Sequence, residues 1–198
     1  MSDLAILSQL GFDLFGVKAP RPEEVEKARQ ILAGAPSAGD PWKVAAYFAD
    51  LTELNEDGEA YNSEWSVRAN PVIVSFFKAT NYGSPDGDQT KWCAAFMNWC
   101  LQRVGRKSTR SASSGSFRCF GDDATAPREG DIAVFKNLGQ NAPCSGSGHV
   151  AFFLRRNEGR VEVIGGNQGN KIRVSTYSAQ EKDGYPLLVS IRRTPGPA

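Results

Sequence analysis

Three short stretches of the chain hold residues able to carry covalent chemistry. Cys93 stands at the predicted start of a helix, where unpaired backbone N–H groups and the helix dipole favour a thiolate and can steady an oxyanion. His149 is the sole histidine of 198 residues. It opens a predicted strand in GSGHVAFF, straight after a Gly/Ser loop. GGNQGN ends a further predicted strand. There Gly165, Gly166 and Gly169 permit unusual backbone angles, and Asn167 or Gln168 can turn a side-chain amide toward an imidazole. A thiol, an imidazole and an orienting amide are the parts of nucleophilic acyl transfer. Asn170 reads as an ordinary turn residue and Cys100, two turns into the Cys93 helix, as core.

The elements that must position these groups divide in two. The first part reads helical. Pro22 opens and Gly34 closes one helix, Asp40 with Pro41 starts a second, and Asn70 with Pro71 starts a third. Thr90 and Gly105 bracket the helix of Cys93. After a Ser-rich stretch the period changes to that of strands: IAVFK, HVAFFLRR, VEVIGG, KIRVSTY and LLVSIRR, with hairpin-like separations. Helices followed by an antiparallel sheet predict an α+β fold.

Net charge is +1, but it is unevenly spread. Residues 1–68 hold 6 Lys+Arg and 12 Asp+Glu, leaving 17 and 10 for residues 69–198. A basic second part suits an anionic polymer. No apolar run is long enough to span a bilayer, and no basic region precedes the apolar residues of MSDLAILSQLGFDLFG, so no secretory signal is read there. The four cysteines form no CxxC pair and one histidine is too few for the common zinc patterns. No metal or cofactor is expected. Cys119 and Cys144, in loop-like sequence, pair in an oxidising compartment or remain reduced thiols elsewhere.

WCAAFMNWCLQRVG, PREGDIAVFK, GHVAFFL and VIGGNQGNKI, in that order, resemble the CHAP and NlpC-type cell-wall hydrolases over residues 70–193. The resemblance implies a papain-like core, with N-terminal helices packed on a central antiparallel sheet, and the Cys, His, Asn order of that arrangement. It implies hydrolysis of peptidoglycan by a cysteine peptidase or amidase, within the stem peptides or at the bond between sugar and peptide. It makes Cys93 the nucleophile, His149 the base and Asn167 the orienting residue, with Gln168 sharing that position or meeting substrate. Asp131 would brace the turn before its strand; Trp92 and Trp99 would pack the catalytic helix, with Trp92 also bordering the cleft. Many relatives carry a carboxylate or a second histidine as orienter where this chain has an amide. The loop NLGQNAPCSGSG is also longer than the family pattern and would shape the cleft or act as a lid.

The expected organisation is a helical extension over 1–69 and a hydrolase domain over 70–198. The expected setting is synthesis in the cytoplasm and action in the periplasm or cell wall, as an antibacterial effector of a type VI secretion system. Its partners would be peptidoglycan, a secretion-system component and a periplasmic immunity protein, with no nucleic acid and no membrane insertion. Alternatives of the same chemistry or site are a phage or prophage lysin, a silent wall-binding module and an acyltransferase acting on lipid.

Overall fold

The computed structural model describes residues 18–83, 85–137, 139, 142–179 and 187–194. The opening stretch read for a signal, most of the RTPGPA tail and three residues of the loop before His149 lie outside these. Among the described residues four helices come first: α1 (Pro22–Gly34), α2 (Pro41–Ala49), α3 (Pro71–Phe76) and α4 (Cys93–Arg103). Six strands dominate the remainder: β1 (Asp122–Asp123), β2 (Ile132–Lys136), β3 (Gly148–Asn157), β4 (Arg160–Gly165), β5 (Arg173–Ser178) and β6 (Leu187–Arg193). They form one antiparallel sheet in the order β1-β6-β2-β3-β4-β5.

Local chemistry accounts for most boundaries. Asn70 caps α3 by accepting from the Val72 N–H at 2.9 Å, with Pro71 as first helical residue. Asp40 occupies the cap position of α2 but its side chain makes no capping bond. α4 begins at Cys93 with Trp92 as its cap, two residues later than a cap at Thr90 predicts. The Thr90 hydroxyl instead accepts from the Asp86 N–H at 2.8 Å, closing the preceding turn. The Ser-rich stretch, featureless by periodicity, contains a 3-10 helix over Ser114–Cys119. Strand β5 starts at Arg173, because Ile172 is still tied to Asn62 O at 2.8 Å.

Alternation along the strands separates two apolar faces. Ile132, Val134, Val150, Phe152 and Ile164 join one core with residues from all four helices, among them Ile31, Phe48, Ile73 and Phe96. Residues 28–65 therefore share their core with α4 and the sheet. On the other face Ala133, Phe135, Ala151, Phe153, Val161 and Val163 make a second cluster with Tyr177 against it. Strands β2 and β5 lie three spacings apart, about 14 Å in a flat sheet. Yet the rings of Phe135 (β2) and Tyr177 (β5) approach to 5.2 Å. The sheet must therefore curl around this second face. Asp131 braces the entry to β2: its carboxylate accepts from the Arg128 N–H at 2.9 Å and pairs with Arg193 at 2.8 Å. No helix among the described residues is long and apolar enough to cross a membrane.

Candidate active site

Cys93 is the first residue of α4, which packs on β3. Its sulfur lies against the backbone N–H groups of Val150, Ala94 and itself. The N–H of Val150 is free to face the thiol because β4 ends at Gly165, leaving β3 uncovered there. Two glycines allow this close approach. A Cβ on Gly165 would sit 2.7 Å from the Ala151 Cβ, and one on Gly166 only 2.3 Å from the Trp92 indole.

The histidine stands one residue away on the same strand. His149 pairs in register with Phe135. The glycine before it is obligatory, since a Cβ on Gly148 would meet Phe135 O at 2.0 Å. The imidazole forms a triangle with two aromatic rings, Tyr177 at 5.5 Å and Phe135 at 6.1 Å, which lie 5.2 Å from each other. Its Nε2 meets Gln168 Oε1 at 3.1 Å.

That contact fixes the tautomer. The Gln168 amide nitrogen donates to Arg173 O, which can only accept. Its oxygen must therefore face the histidine, so Nε2 carries the proton and Nδ1 keeps a lone pair. The Gln168 backbone is held as well, its N–H donating to Lys171 O at 3.0 Å.

Asn167, expected as the orienting residue, makes no contact with the imidazole among those described. It occupies a left-handed backbone position, φ 59°, and is partly exposed, while Gln168 is buried. The turn directs the side chain one residue on from the expected one. Trp92 is fully buried against Gly166 at the helix start and donates from Nε1 to Glu64 at 2.8 Å. Gln168, 1 % exposed, spends its side-chain amide on His149 and Arg173 O.

Electrostatics differ from the expectation for a helix start. Burial pushes the Cys93 thiol up, against the opposing pull of the three N–H groups and the Lys91 charge. Burial also pushes His149 down, to about 4, although the Gln168 bond favours its charged form. At neutral pH both groups thus rest uncharged, a thiol and a neutral imidazole. Cys100 is fully buried and its thiol is raised further still.

The loop before His149 is tied down in its described part. Cys119 and Cys144 form a disulfide, with Cα atoms 5.3 Å apart. Gly115 N–H and the Ser113 hydroxyl both donate to Gly146 O, at 3.0 and 2.9 Å. Arg118 donates to Ala142 O and Ser147 O, at 2.6 and 3.2 Å. These bonds make the described loop a fixed wall; a lid would need them broken.

Sequence reasoning did not single out Phe135, Tyr177, Glu64 or Asp88. The first two sit in ordinary strand patterns, and the acids lie in loops with no motif around them. Among the described residues no group of three His, Cys, Asp or Glu side chains is gathered to hold a metal ion.

The family model for the CHAP domain matches residues 85–167, from just before α4 through the turn that carries Asn167. Over this stretch the chain is similar to the CHAP domain, a domain typical of cysteine amidases and endopeptidases that act on peptidoglycan. Comparison with the curated proteins and with the solved structures gives no match.

Proposed function

We propose that this protein hydrolyses amide bonds of peptidoglycan with Cys93 as nucleophile, His149 as general base and acid, and Gln168 as the residue that orients the imidazole. The observation that carries this reading is the Gln168 amide held between His149 Nε2 and Arg173 O. It leaves Nδ1 unprotonated on the strand whose next N–H touches the thiol.

With both groups neutral at rest, the thiol proton passes to His149 Nδ1 as sulfur attacks the amide carbonyl carbon. The N–H groups of the first turn of α4 hold the resulting oxyanion. The imidazolium then protonates the leaving nitrogen as the C–N bond breaks, leaving a thioester. Water attacks the thioester, gives its proton to His149, and the thiol is restored as the acid leaves. The ring need hold a charge only briefly, which suits an amide partner in place of a carboxylate.

The same residues support a setting. A disulfide beside the catalytic histidine fits an oxidising destination such as the periplasm. An antibacterial effector acting there, countered in its producer by a periplasmic immunity protein, is the reading we favour. The test is to incubate purified protein and a Cys93→Ala variant with intact sacculi and identify released fragments by mass spectrometry. Wild type alone should release fragments, and their masses name the bond as peptide–peptide or sugar–peptide. Equal release by both, or by neither, overturns the reading.

A further inference from the structure

The segment 61–65 lies outside the part of the chain matched by the family model, yet it touches both halves of the site. Glu64 Oε1 accepts from Trp92 Nε1 at 2.8 Å, and Trp92 is the residue that caps the Cys93 helix. The Glu64 backbone N–H donates to Asn170 O at 2.9 Å, in the turn that carries Gln168. Asn62 O accepts from Ile172 N–H at 2.8 Å, and Ser63 forms an isolated bridge with Lys171. One short stretch thus spans from the nucleophile's helix to the orienter's turn.

The stretch is itself immobilised. The buried Asn62 amide donates to Phe48 O, Ala49 O and Leu51 O at 3.2–3.3 Å, capping the end of α2. Asn70 Nδ2 donates to Tyr61 O and Ser63 O at 2.9 and 2.8 Å. The fully buried Asp88 carboxylate accepts from the N–H groups of Trp65 and Asn70, both at 2.9 Å. These bonds hold the stretch from both sides, although the buried Asn62 Oδ1 itself has no hydrogen-bond partner.

We propose that residues 61–65 are a positioning strap for the site and that Glu64 is its key positioning residue. It fixes the start of α4 relative to the Gln168 turn, and hence Cys93 relative to the imidazole that Gln168 holds. This gives the segment before the matched domain a role in the reaction. The consequence for rate rests on the hydrolase reading above; the consequence for imidazole geometry does not.

The single histidine makes that geometry readable. Long-range 1H–15N spectra of the full-length protein report the tautomer and titration of His149 with no other signal to confuse them. Wild type should show the Nε2–H tautomer and a titration near pH 4. In Glu64→Leu the Trp92 indole N–H loses its acceptor and the ring can shift against Gly166, at the head of the Gln168 turn, so the imidazole should show a mixture of tautomers and titrate closer to the ordinary value of about 6.5. Glu64→Gln keeps an acceptor oxygen for Trp92 and should restore the wild-type spectrum. Should Glu64→Leu fail to fold, Glu64→Asp provides the same contrast, since it withdraws the oxygen by roughly one C–C bond, about 1.5 Å. On a soluble wall peptide, kcat should fall about tenfold or more with KM within about twofold.

A Glu64→Leu or Glu64→Asp protein that keeps a single Nε2–H tautomer titrating near pH 4 overturns the strap, whatever its melting temperature. Failure of wild type to cleave any wall substrate, with the spectra behaving as expected, overturns the hydrolase reading and leaves the strap standing.

Discussion

The start of α4 and the start of β3 hold Cys93 and His149 by different means. Cys93 rests on packing: Trp92, Phe96 and Met97 around it are buried, Trp92 and Phe96 meet edge to face at 6.3 Å, and Phe76 lies against both. His149 rests on directional bonds: the Gln168 amide on one side and, on the chain leading to it, a disulfide and the bonds from Gly115, Ser113 and Arg118. Packing fixes where a backbone lies but leaves a small thiol little to orient. An imidazole has two distinct nitrogens and a ring that rotates, so it needs a bond that selects one tautomer. Substitutions in the core around Cys93 should therefore act through volume, the Trp92–Glu64 bond apart, and those near His149 through bonds.

The sharpest break of this contrast is Gln168→Leu. It preserves volume and removes the acceptor, leaving a buried Nε2–H unpaired. We expect kcat on a soluble wall peptide to fall about 10²-fold while the fold, followed by circular dichroism, persists. A loss under about threefold would mean that packing by Phe135 and Tyr177 orients the ring unaided.

Removing the disulfide tests the other support of β3. Cys119→Ser with Cys144→Ser opens a loop spanning 25 residues, and urea unfolding should show a loss of about 3 kcal/mol. The helix of Cys93 should keep its amide protection in hydrogen exchange, while the described loop before His149 loses it.

Acid should weaken the same half. The folded value for His149, about 4, lies below the unfolded value of 6.5. Between them the unfolded chain binds the extra proton, so stability contributed by this group is present above pH 6.5 and lost as pH falls toward 4. The difference in unfolding free energy between wild type and His149→Asn should change by about 3 kcal/mol across that window. Taking the difference removes the effect of Glu64 and Asp88, whose carboxyls burial pushes up.

Asn167→Gly should do least. The residue already has φ 59°, which glycine adopts without strain. Rate should stay within about twofold, measured beside Gln168→Leu. A large loss would return the orienting role to Asn167.

How far this site was legible follows from the same division. Helix starts at Pro22, Pro41 and Pro71, the strand runs, Cys93 and His149 all carry local signals, because proline geometry, period and residue type are local properties. That Gln168 and not Asn167 meets the imidazole reflects the left-handed angles of the turn and Arg173 O, three-dimensional facts with no sequence mark. The thiol's electrostatics misled for a similar reason. A helix start is visible in sequence, but the burial that outweighs it depends on Trp92, Phe96 and the end of β4 meeting there.

The strand order has a consequence for biogenesis. β2 lies between β3 and β6, and its partner on the β6 side comes late: Ile132 pairs with Arg192, 60 positions further along (192 − 132). The β2–β3 and β3–β4 hairpins can close soon after they leave the ribosome, but β2 keeps one open edge until β6 arrives. During that interval Ile-Ala-Val-Phe offers unpaired backbone and apolar side chains to any neighbouring chain. Yield of soluble protein should therefore depend on how quickly translation supplies β6, and synonymous codons that slow the passage between residues 157 and 187 should lower it.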